Sequence, residues 1–503
     1  MLCLSLPPSK LYWIVWFAYL PILWVISRSS ITESLIYGLI CGAVYYSLSF
    51  QWTYAFQPYA LAFVSILQGL LFVAFPLVII RFLLRFPVWS LFSVPSIWVF
   101  FEYLKQVWFL KFPFGIIGYS QYYWPRLIQI ADITGVWGIS WIIVFINLLL
   151  FRILTIILSG ESKKKTRALF IYPAMIIAVF GLLLVYGSVR AALLQYNPHT
   201  SLKVGFAQTL FHPKKKWHDH WEEYLSIIED QFQKLSGLDA DLVLFPELTV
   251  ERYLTLDRAI RIESNAEILN RLSKLARQSN AALLFGGIEL KQQNKQIEKY
   301  NTTFLFSKTG DLSGLYRKQV LVPFGEFYPF GNFLPGLKTY ISETTDAAEL
   351  MPGHNQTVFS VRNRKNENLT FGVLTCFESG FGSLARRYAQ KDVDFLVNVT
   401  NDYWSLSSIA MVQHAVMSVF RAIETRRPVL RISNGGFSCY VDEIGKYSST
   451  IPLFRKGLMT ARLRLLATPG RTAYTLLGDW FVLLCLLIVL SYPLILVLRK
   501  AGK

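Results

Sequence analysis

A series of long apolar stretches constrains this chain more than any other feature, because a helix of about 20 apolar residues spans the hydrocarbon core of a bilayer. Six such stretches precede residue 195, and a seventh lies close to the C-terminus. They cover residues 11–27, 34–50, 60–80, 87–104, 133–158, 168–188 and 480–498. With 53% of its 503 residues hydrophobic, the chain is too apolar for an ordinary soluble protein. We therefore predict a multi-pass α-helical membrane domain.

The placement of the basic residues decides between two explanations of the net charge of +18. A nucleic-acid binder gathers them on one face, but here they lie in short runs between apolar stretches. Positively charged cytoplasmic loops of a membrane protein account for that pattern, so we expect no nucleic-acid partner. The strongest runs are 163–167 and 499–503. If these runs are cytoplasmic, alternation of the helices places residues 195–475 outside the cytoplasm.

The middle of the chain differs, since charged residues return and short β-rich runs alternate with helical ones, as in an α/β domain. Strands are predicted at 202–207, 241–245, 281–290, 301–307, 312–317, 369–375, 395–400 and 429–433. Helices are predicted near 217–235, 384–390 and 409–425. The predicted domains are transmembrane helices in 1–195, an extracytoplasmic α/β domain in 196–475, and a transmembrane helix with a basic tail in 476–503.

The cysteines show neither paired nor metal-type spacing, so the sequence predicts no disulfide framework and no metal site. Glycine-rich phosphate loops are absent from the sequence, and we expect no cofactor. A Ser-His-Asp triad fits poorly, because the chain has six histidines and no G-x-S-x-G elbow.

Glu247 closes the apolar run LVLFPE, and it is one of three polar residues that follow predicted strands, where α/β sheets present active groups. A carboxylate that leaves a buried strand through a proline turn can be held out of water, which raises its pKa towards that of a useful base. Taken alone, Glu247 equally fits a solvated acid in the first turn of a helix.

Lys318 lies in LYRKQVLVPFGEF, a loop fixed by prolines and glycines that also carries Glu326. An ammonium group at this position can stabilise an oxyanion or a thiolate. The alternative is a surface lysine at the end of a strand.

Cys376 ends the strand-like run FGVLTC and precedes ESGFGSLARRY. We expect its sulfur at a strand-to-helix turn, where backbone amides and a helix N-terminus lower a thiol pKa and make a nucleophile. A buried small apolar side chain is the alternative, but Glu378 two residues further on is unusual beside a core cysteine. Together, a carboxylate, an ammonium and a thiol, each after a strand, are what a base, a stabiliser and a nucleophile require.

In order and spacing, the segments LFPE, YRKQVLVPFGEF, LTCFES, VTNDYW and RPVLRISNGG resemble the nitrilase superfamily. More narrowly they resemble its membrane-embedded apolipoprotein N-acyltransferase branch, through VPFGEF, through VTNDYW followed by Gln413 and His414, and through FPFGIIGYSQ at 112–121. The resemblance covers most of the chain from about residue 30 onward.

This resemblance implies a nitrilase-like αββα sandwich with Glu247 as general base, Lys318 as oxyanion partner and Cys376 as nucleophile. It also implies that Glu326 and Glu378 support this triad. In such an enzyme, Cys376 takes an acyl chain from a glycerophospholipid and passes it to the amino group of a diacylglyceryl-cysteine at an apolipoprotein N-terminus. The implied location is a bacterial inner membrane, with the α/β domain on the periplasmic side. A thioester route of this kind needs no cofactor or metal.

Four further residues are predicted to bind substrate by the same resemblance. They are Trp217, Phe377, Asn401 and Trp404. Trp217 aligns with an aromatic residue near the family's substrate entrance, although it equally fits a residue that packs a helix. Phe377 replaces a commonly seen tyrosine, and Ser405 and Leu406 replace a usual Phe-Gly pair. The aromatic loops at 327–337 and 402–411 either enter the membrane interface or pack on the domain.

Two other functions compete with acyl transfer between lipids. A membrane-anchored nitrilase-type amidase or thioesterase would use the same triad and pass the acyl group to water, but it does not need seven membrane helices. A non-catalytic transporter or anchor would explain the helices but not an intact Glu247, Lys318 and Cys376. Transport helices usually carry intramembrane charges, and Glu102 and Arg152, the clear candidates, lie near predicted helix ends.

Overall fold

The computed structural model describes most of the chain. The described residues are 1–55, 58–159, 163–194, 196–212, 220–257, 259–260, 262, 265–293, 295–329, 349–467 and 470–501. Trp217 and most of the loop at 327–337 lie outside this part of the chain. Two compact units are formed, a helical unit of residues 1–193 with 472–503 and an α/β unit of residues 194–471.

The helical unit contains four described helices that are long and apolar enough to cross a membrane, namely Ile31–Ser49, Ala60–Leu83, Val136–Leu158 and Arg167–Ala192. They coincide with four of the predicted spans and support the predicted membrane domain. The α-helices of this unit are α1 (Leu2–Ser5), α2 (Leu20–Ile26), α3 (Ile31–Ser49), α4 (Pro58–Phe63), α5 (Phe75–Leu83), α6 (Ser90–Val107), α7 (Ala131–Thr134), α8 (Val136–Ser159), α9 (Lys163–Ala192), α14 (Ala473–Leu477) and α15 (Trp480–Ala501). Two π-helical turns, Val64–Gln68 and Leu70–Ala74, lie between α4 and α5.

The first predicted span, 11–27, is divided in the structure. A 3-10 helix runs over Tyr12–Trp16, and α2 starts separately at Leu20 with a proline in its first turn. Because Pro21 has no backbone N–H, the first turn of a helix accommodates it without the loss of a hydrogen bond. The predicted single helix is therefore two shorter elements.

Small residues let α3 approach the helix that follows it. A side chain at Gly42 would place its Cβ 2.6 Å from the Cα of Gly69, and one at Gly38 would lie 2.6 Å from the Cα of Ala74. Close approach through small residues is how helices pack where burial from water offers no driving force. This spacing favours helix association within a bilayer.

Glu102 is buried in α6, where it holds the segment 112–121 in place. Its Oε1 accepts hydrogen bonds from the backbone N–H of Ile117 at 2.9 Å and from Trp98 Nε1 at 3.3 Å. A carboxylate that caps irregular backbone in this way satisfies groups that an apolar surrounding would otherwise leave unpaired.

The α/β unit is built from two β-sheets with helices outside them. Its strands are β1 (Tyr196–Gln208), β2 (Leu242–Leu244), β3 (Val250–Leu254), β4 (Ala282–Gln293), β5 (Gln296–Phe306), β6 (Leu312–Arg317), β7 (Val358–Arg362), β8 (Asn368–Thr375), β9 (Phe395–Asn401), β10 (Val429–Asn434), β11 (Ser438–Val441), β12 (Tyr447–Ile451) and β13 (Gly457–Leu466). Its helices are α10 (Trp221–Gly237), α11 (Asn265–Ser279), α12 (Gly382–Gln390) and α13 (Ser408–Thr425).

One sheet has the order β13-β1-β2-β4-β5-β6 with β3 also on β4, and the other has the order β12-β11-β10-β9-β8-β7. The apolar faces of both sheets meet in one core, to which Val204 and Phe371 belong. A second core, to which Val243 and Leu272 belong, joins the first sheet to α10 and α11. The other sheet is covered by α12, where Tyr388 lies directly over Gly372. The predicted αββα sandwich is confirmed.

The central strands of each sheet run parallel, which brings their carboxyl ends to one edge. In the first sheet β1, β2 and β4 are parallel, and in the second β8, β9 and β10 are parallel. Residues that follow parallel strands lie together at the carboxyl end of a sheet. Glu247 follows β2 and Cys376 follows β8, so the topology directs both to this end of the sandwich.

Candidate active site

Cys376 occupies a strained turn between β8 and the 3-10 helix Cys376–Gly380. Its φ angle of 51° lies in the left-handed region, which costs a residue with a Cβ about 1 kcal/mol. The turn is fixed by Glu378, whose Oε2 accepts from the backbone N–H of Thr375 at 2.7 Å. The predicted strand-to-helix turn is confirmed, and the side chain is 9% exposed.

Glu378 also fixes the loop that follows β6. Its Oε1 accepts hydrogen bonds from the backbone N–H groups of Gln319 and Val320 at 2.6 and 3.0 Å. The hydroxyl of Tyr316 donates to the same carboxylate at 2.8 Å. Glu378 thus joins two segments and fixes their relative positions. One is the turn Cys376–Gly380, here called the nucleophile turn after the role predicted for Cys376, and the other is the loop that carries Lys318.

A group of four buried or half-buried side chains, here called the front cluster, faces Cys376. Its members are Glu247, Asn301, Lys318 and Glu326. Lys318 Nζ donates to Glu247 Oε1 at 3.2 Å and to Glu326 Oε1 at 2.8 Å. Asn301 Nδ2 donates to the same two oxygens, at 2.7 and 3.1 Å. The two carboxyl groups are therefore held side by side by one cationic and one neutral donor.

Lys318 is 1% exposed, and its surroundings keep it charged. Burial by itself lowers the pKa of a lysine, but the carboxylates of Glu247 and Glu326 raise the pKa of Lys318 well above its usual value. An ammonium that stays charged in a buried site is a strong electrostatic stabiliser of an oxyanion.

Burial raises the pKa of the Cys376 thiol, and the nearby charge of Glu247 raises it further, while Lys318 acts in the opposite direction. The expectation that the turn lowers this pKa is therefore wrong. The physical reason is that Lys318 does not outweigh the loss of water around a buried sulfur together with the charge of Glu247. Since the resting group is a thiol, attack on a substrate requires a base that removes its proton.

A second group of polar and charged side chains, here called the rear cluster, also lies close to Cys376. Its members are Asp402, His414 and Arg431. Arg431 Nη2 donates to Asp402 Oδ2 at 2.6 Å, and His414 Nδ1 lies 2.7 Å from Asp402 Oδ1. Although burial opposes its ionisation, Asp402 has a pKa well below the usual range because of Arg431 and His414. Asp402 is thus held as a carboxylate.

Among the described residues, Cys376, Asp402 and His414 offer donor atoms of the kind that bind transition metals, all within 4.8 Å of one another. The guanidinium of Arg431 already binds the Asp402 carboxylate, and a cation in the same place would meet its positive charge. The arrangement fits a hydrogen-bonded network better than a metal centre.

The residues predicted to bind substrate are only partly brought together. The backbone N–H of Asn401 donates to Glu247 Oε2 at 2.9 Å, while its side chain accepts from Asn434. Phe377 is buried against the ring of Phe381, with 5.2 Å between the ring centroids. Trp404 is half-buried in the 3-10 turn Tyr403–Ser405 that follows β9, and Trp217 lies outside the described residues.

Sequence reasoning missed Asn301, Asp402 and Arg431 as members of the site. Arg431 carries a signal that could have found it, because an arginine in the apolar strand VLRISN has to be paired. Asn301 carries no such signal, since it begins the predicted strand 301–307, where asparagine is unremarkable; in the structure it lies in the middle of β5.

A buried thiol near a carboxylate and an ammonium, at the carboxyl end of an αββα sandwich, is the arrangement expected of an enzyme of the carbon-nitrogen hydrolase type. This chain belongs to the carbon-nitrogen hydrolase family, whose model matches residues 190–468. A second model, the apolipoprotein N-acyltransferase N-terminal domain, matches residues 1–149. Both matches confirm the resemblance found in the sequence.

Several relatives match nearly the whole chain, and two of them show the extent of the similarity. The apolipoprotein N-acyltransferase of Geobacter metallireducens is 29% identical over 96% of this chain and 91% of its own length. Apolipoprotein N-acyltransferase 1 of Treponema denticola is 27% identical over 97% of this chain and 92% of its own length. Among solved structures, Saccharomyces cerevisiae Nit3, a member of branch 10 of the nitrilase superfamily, is 19% identical with a TM-score of 0.39, covering 54% of this chain and 91% of Nit3.

Proposed function

We propose that this protein is an acyltransferase that moves an acyl chain from a glycerophospholipid, through a thioester on Cys376, to an apolipoprotein. The acceptor is the α-amino group of the N-terminal diacylglyceryl-cysteine. The observation that carries the proposal is the enclosed Cys376 thiol beside Glu247 and Lys318, in a chain whose relatives carry the apolipoprotein N-acyltransferase name.

In the first half-reaction, Glu247 takes the proton of the Cys376 thiol as Sγ attacks the ester carbonyl of the phospholipid. The oxyanion of the tetrahedral intermediate is stabilised by the ammonium of Lys318, whose pKa is raised and whose charge is therefore secure. The ester C–O bond then breaks, the lysophospholipid leaves with the proton from Glu247, and the acyl chain remains on Sγ.

In the second half-reaction, the amino group of the acceptor attacks the thioester and gives a proton to Glu247. Lys318 again stabilises the oxyanion, the C–S bond breaks, and the thiolate of Cys376 recovers the proton from Glu247. The products are the N-acylated lipoprotein and the free enzyme, so the kinetics are ping-pong.

The helical unit supports lipid substrates and a membrane location. Its four apolar helices are long enough to cross a bilayer. We place the protein in a bacterial inner membrane with the α/β unit in the periplasm, because the basic runs 163–167 and 499–503 fit cytoplasmic loops. A cysteine at exposed Gln233 of α10 should then react with a membrane-impermeant maleimide in spheroplasts. Reaction only after the membrane is disrupted would reverse the orientation.

The mass of the intact protein, purified in detergent with added phospholipid, tests the reaction. A long-chain acyl adduct should appear on the native chain and on Cys439→Ala, which removes another buried strand cysteine of the α/β unit, and should be absent from Cys376→Ala. A diacylated lipopeptide with a free amino terminus should discharge the adduct and gain the acyl chain as an amide. Decay of the adduct to free fatty acid alone would instead favour a hydrolase.

A further inference from the structure

Two cationic or proton-donating side chains of α13 reach the carbonyl groups of the nucleophile turn. His414 Nε2 lies 2.9 Å from the carbonyl oxygen of Cys376. Arg421 Nη1 donates to the carbonyl oxygens of Gly380 at 3.1 Å and Ser379 at 3.3 Å. Because they are seven residues apart, the two side chains project from one face of the helix. The backbone oxygens of the turn are thus held from a single element.

The carbonyl of Cys376 needs such a contact because its residue is held at a φ of 51°. A residue in this region keeps its conformation only when the surrounding structure determines it. Other side-chain donors to this carbonyl are the hydroxyl of Ser379 at 3.1 Å and Asn398 Nδ2 at 3.4 Å. Of these three side-chain contacts, that of His414 is the shortest, and since a carbonyl oxygen only accepts, Nε2 is the donor.

The other ring nitrogen of His414 connects the nucleophile turn to the base. Nδ1 lies 2.7 Å from Asp402 Oδ1, and Asp402 directly follows Asn401. The backbone N–H of Asn401 donates to Glu247 Oε2 at 2.9 Å. A continuous path therefore runs from the carbonyl of Cys376 through His414 and Asp402 to the carboxylate of Glu247.

We propose that His414 is a positioning residue that sets the placement of the Cys376 sulfur relative to Glu247. The inference rests on the proposed use of Cys376 as the nucleophile. His414 does not touch the reacting atoms, and its effect is transmitted through the backbone of the turn. Misplacement of reacting groups by about 1 Å lowers a rate by about 100-fold, so the effect of losing this contact is measurable.

Two substitutions separate the contacts of the ring. In His414→Gln the amide nitrogen takes the place of Nε2 and keeps the contact with the Cys376 carbonyl. In His414→Asn the shorter amide takes the place of Nδ1 and keeps only the contact with Asp402. Ser418→Ala is the matched control, because Ser418 is buried on the same helix and its hydroxyl has no partner among the described residues.

For each variant, two rates at Cys376 and the thermal unfolding temperature should be measured. The rates are acyl-enzyme formation from phospholipid, followed by intact mass, and alkylation by iodoacetamide, followed on the Cys376 peptide. We expect His414→Gln to stay within about fivefold of the native rates and His414→Asn to lose about 100-fold, at similar unfolding temperatures. Ser418→Ala should match the native protein.

Equal rates in the Gln and Asn variants, or losses that follow only the unfolding temperature, would overturn the positioning role. The two rates also separate this inference from the proposed function. If the native protein forms no acyl-enzyme but alkylation falls in His414→Asn and not in His414→Gln, positioning stands and the acyltransferase proposal fails. If the acyl-enzyme forms and neither rate changes in the His414 variants, the acyltransferase proposal stands and the positioning role fails.

Discussion

The front and rear clusters both lie close to the Cys376 sulfur, but they differ in how their carboxyl groups are compensated by positive charge. In the front cluster, two carboxyl groups share one ammonium and one neutral amide. In the rear cluster, one carboxylate is bound by a guanidinium and an imidazole, and its pKa is held well below the usual range. The front cluster thus has an excess of acidic groups, while the rear cluster has its single acid fully compensated.

This difference indicates which carboxylate is suited to remove the proton of the Cys376 thiol. Asp402 and Glu247 both act electrostatically on Cys376. A carboxylate whose ionised form is strongly stabilised is a weak base, so Asp402 is unsuited to removing a proton. The base is therefore expected in the front cluster, and the rear cluster is expected to maintain geometry.

The largest effect is expected from Glu247→Gln, which keeps the shape of the base but cannot accept a proton. Acyl-enzyme formation should fall by about 10³-fold, since general-base catalysis contributes about 10²–10⁴. The measurement is the rate of adduct formation by intact mass, at equal thermal stability. If Asp402→Asn, corrected for its folded fraction, lost as much activity as Glu247→Gln, the assignment of the base to the front cluster would be wrong.

Lys318→Met should have the next largest effect, because it removes the charge that stabilises the oxyanion and leaves two carboxylates unpaired. Removal of one such donor typically costs about 10²–10³ in rate, and we expect a loss of that size in both half-reactions. Single-turnover acylation and discharge onto lipopeptide would measure them separately. A loss confined to acylation would show that Lys318 does not stabilise the second oxyanion.

Arg431→Met should act on folding more than on chemistry. Arg431 is 0% exposed, and its removal leaves Asp402 as a buried, poorly compensated charge. Breaking a buried ion pair costs about 3–5 kcal/mol, so the unfolding midpoint of the α/β unit should fall clearly. The exposed pair of Arg471 with Asp392 provides a control, since Arg471→Met should leave the unfolding midpoint close to that of the native protein. Equal losses from the two substitutions would contradict the role given to the rear cluster.

Glu443 sharpens the comparison as a buried acid whose protonation is governed mainly by burial. Tyr196 donates to Glu443 Oε2, and Arg426 Nη1 donates to the backbone carbonyl of Glu443. Burial raises the pKa of Glu443 from its ordinary value of 4.5 to about 7. The folded state therefore binds a proton that the unfolded chain has lost, and the stability from this group declines as the pH rises from 4.5 towards 7.

Glu443→Gln should remove this pH dependence of stability, and it is expected to have the smallest effect of these substitutions. Relative to the native chain, the variant should be more stable at pH 8 than at pH 5 by about 1–2 kcal/mol. Denaturant unfolding of the α/β unit at both pH values measures the difference. A constant difference across this range would mean that Glu443 ionises as freely in the folded state as in the unfolded chain.

The parallel strands at the centre of each sheet could be predicted because parallel strands buried on both faces have near-continuous apolar sequences. β2, β8 and β9 follow this rule, and the predicted strands coincide with them. Strands β3, β7, β11, β12 and β13 were missed, because they are short or alternate apolar with polar residues and contain no long continuous apolar run. α11 was missed as well, although its apolar residues recur at helical spacing, because its polar residues outnumber its apolar ones.

Within the site, the three residues that follow strands could be predicted from local sequence, and the rear cluster could not. Asp402, His414 and Arg431 come from three separate segments, and only tertiary packing brings them together. The direction of the Cys376 pKa shift was predicted wrongly for the same reason, because it too depends on tertiary packing. A turn can be recognised locally, but the balance between burial and surrounding charges depends on distances that no local pattern contains.

The pairing of β1 with β13 has a consequence for how the protein is made. These strands are the first and last of the α/β unit, and Tyr196 lies opposite Leu466 at one end of their ladder. During synthesis, β1 leaves the ribosome long before its antiparallel partner exists. Contacts between residues so distant in sequence form slowly. The edge of β1 therefore stays open until β13 has been made, and this period is when the nascent chain is most exposed to wrong strand pairing.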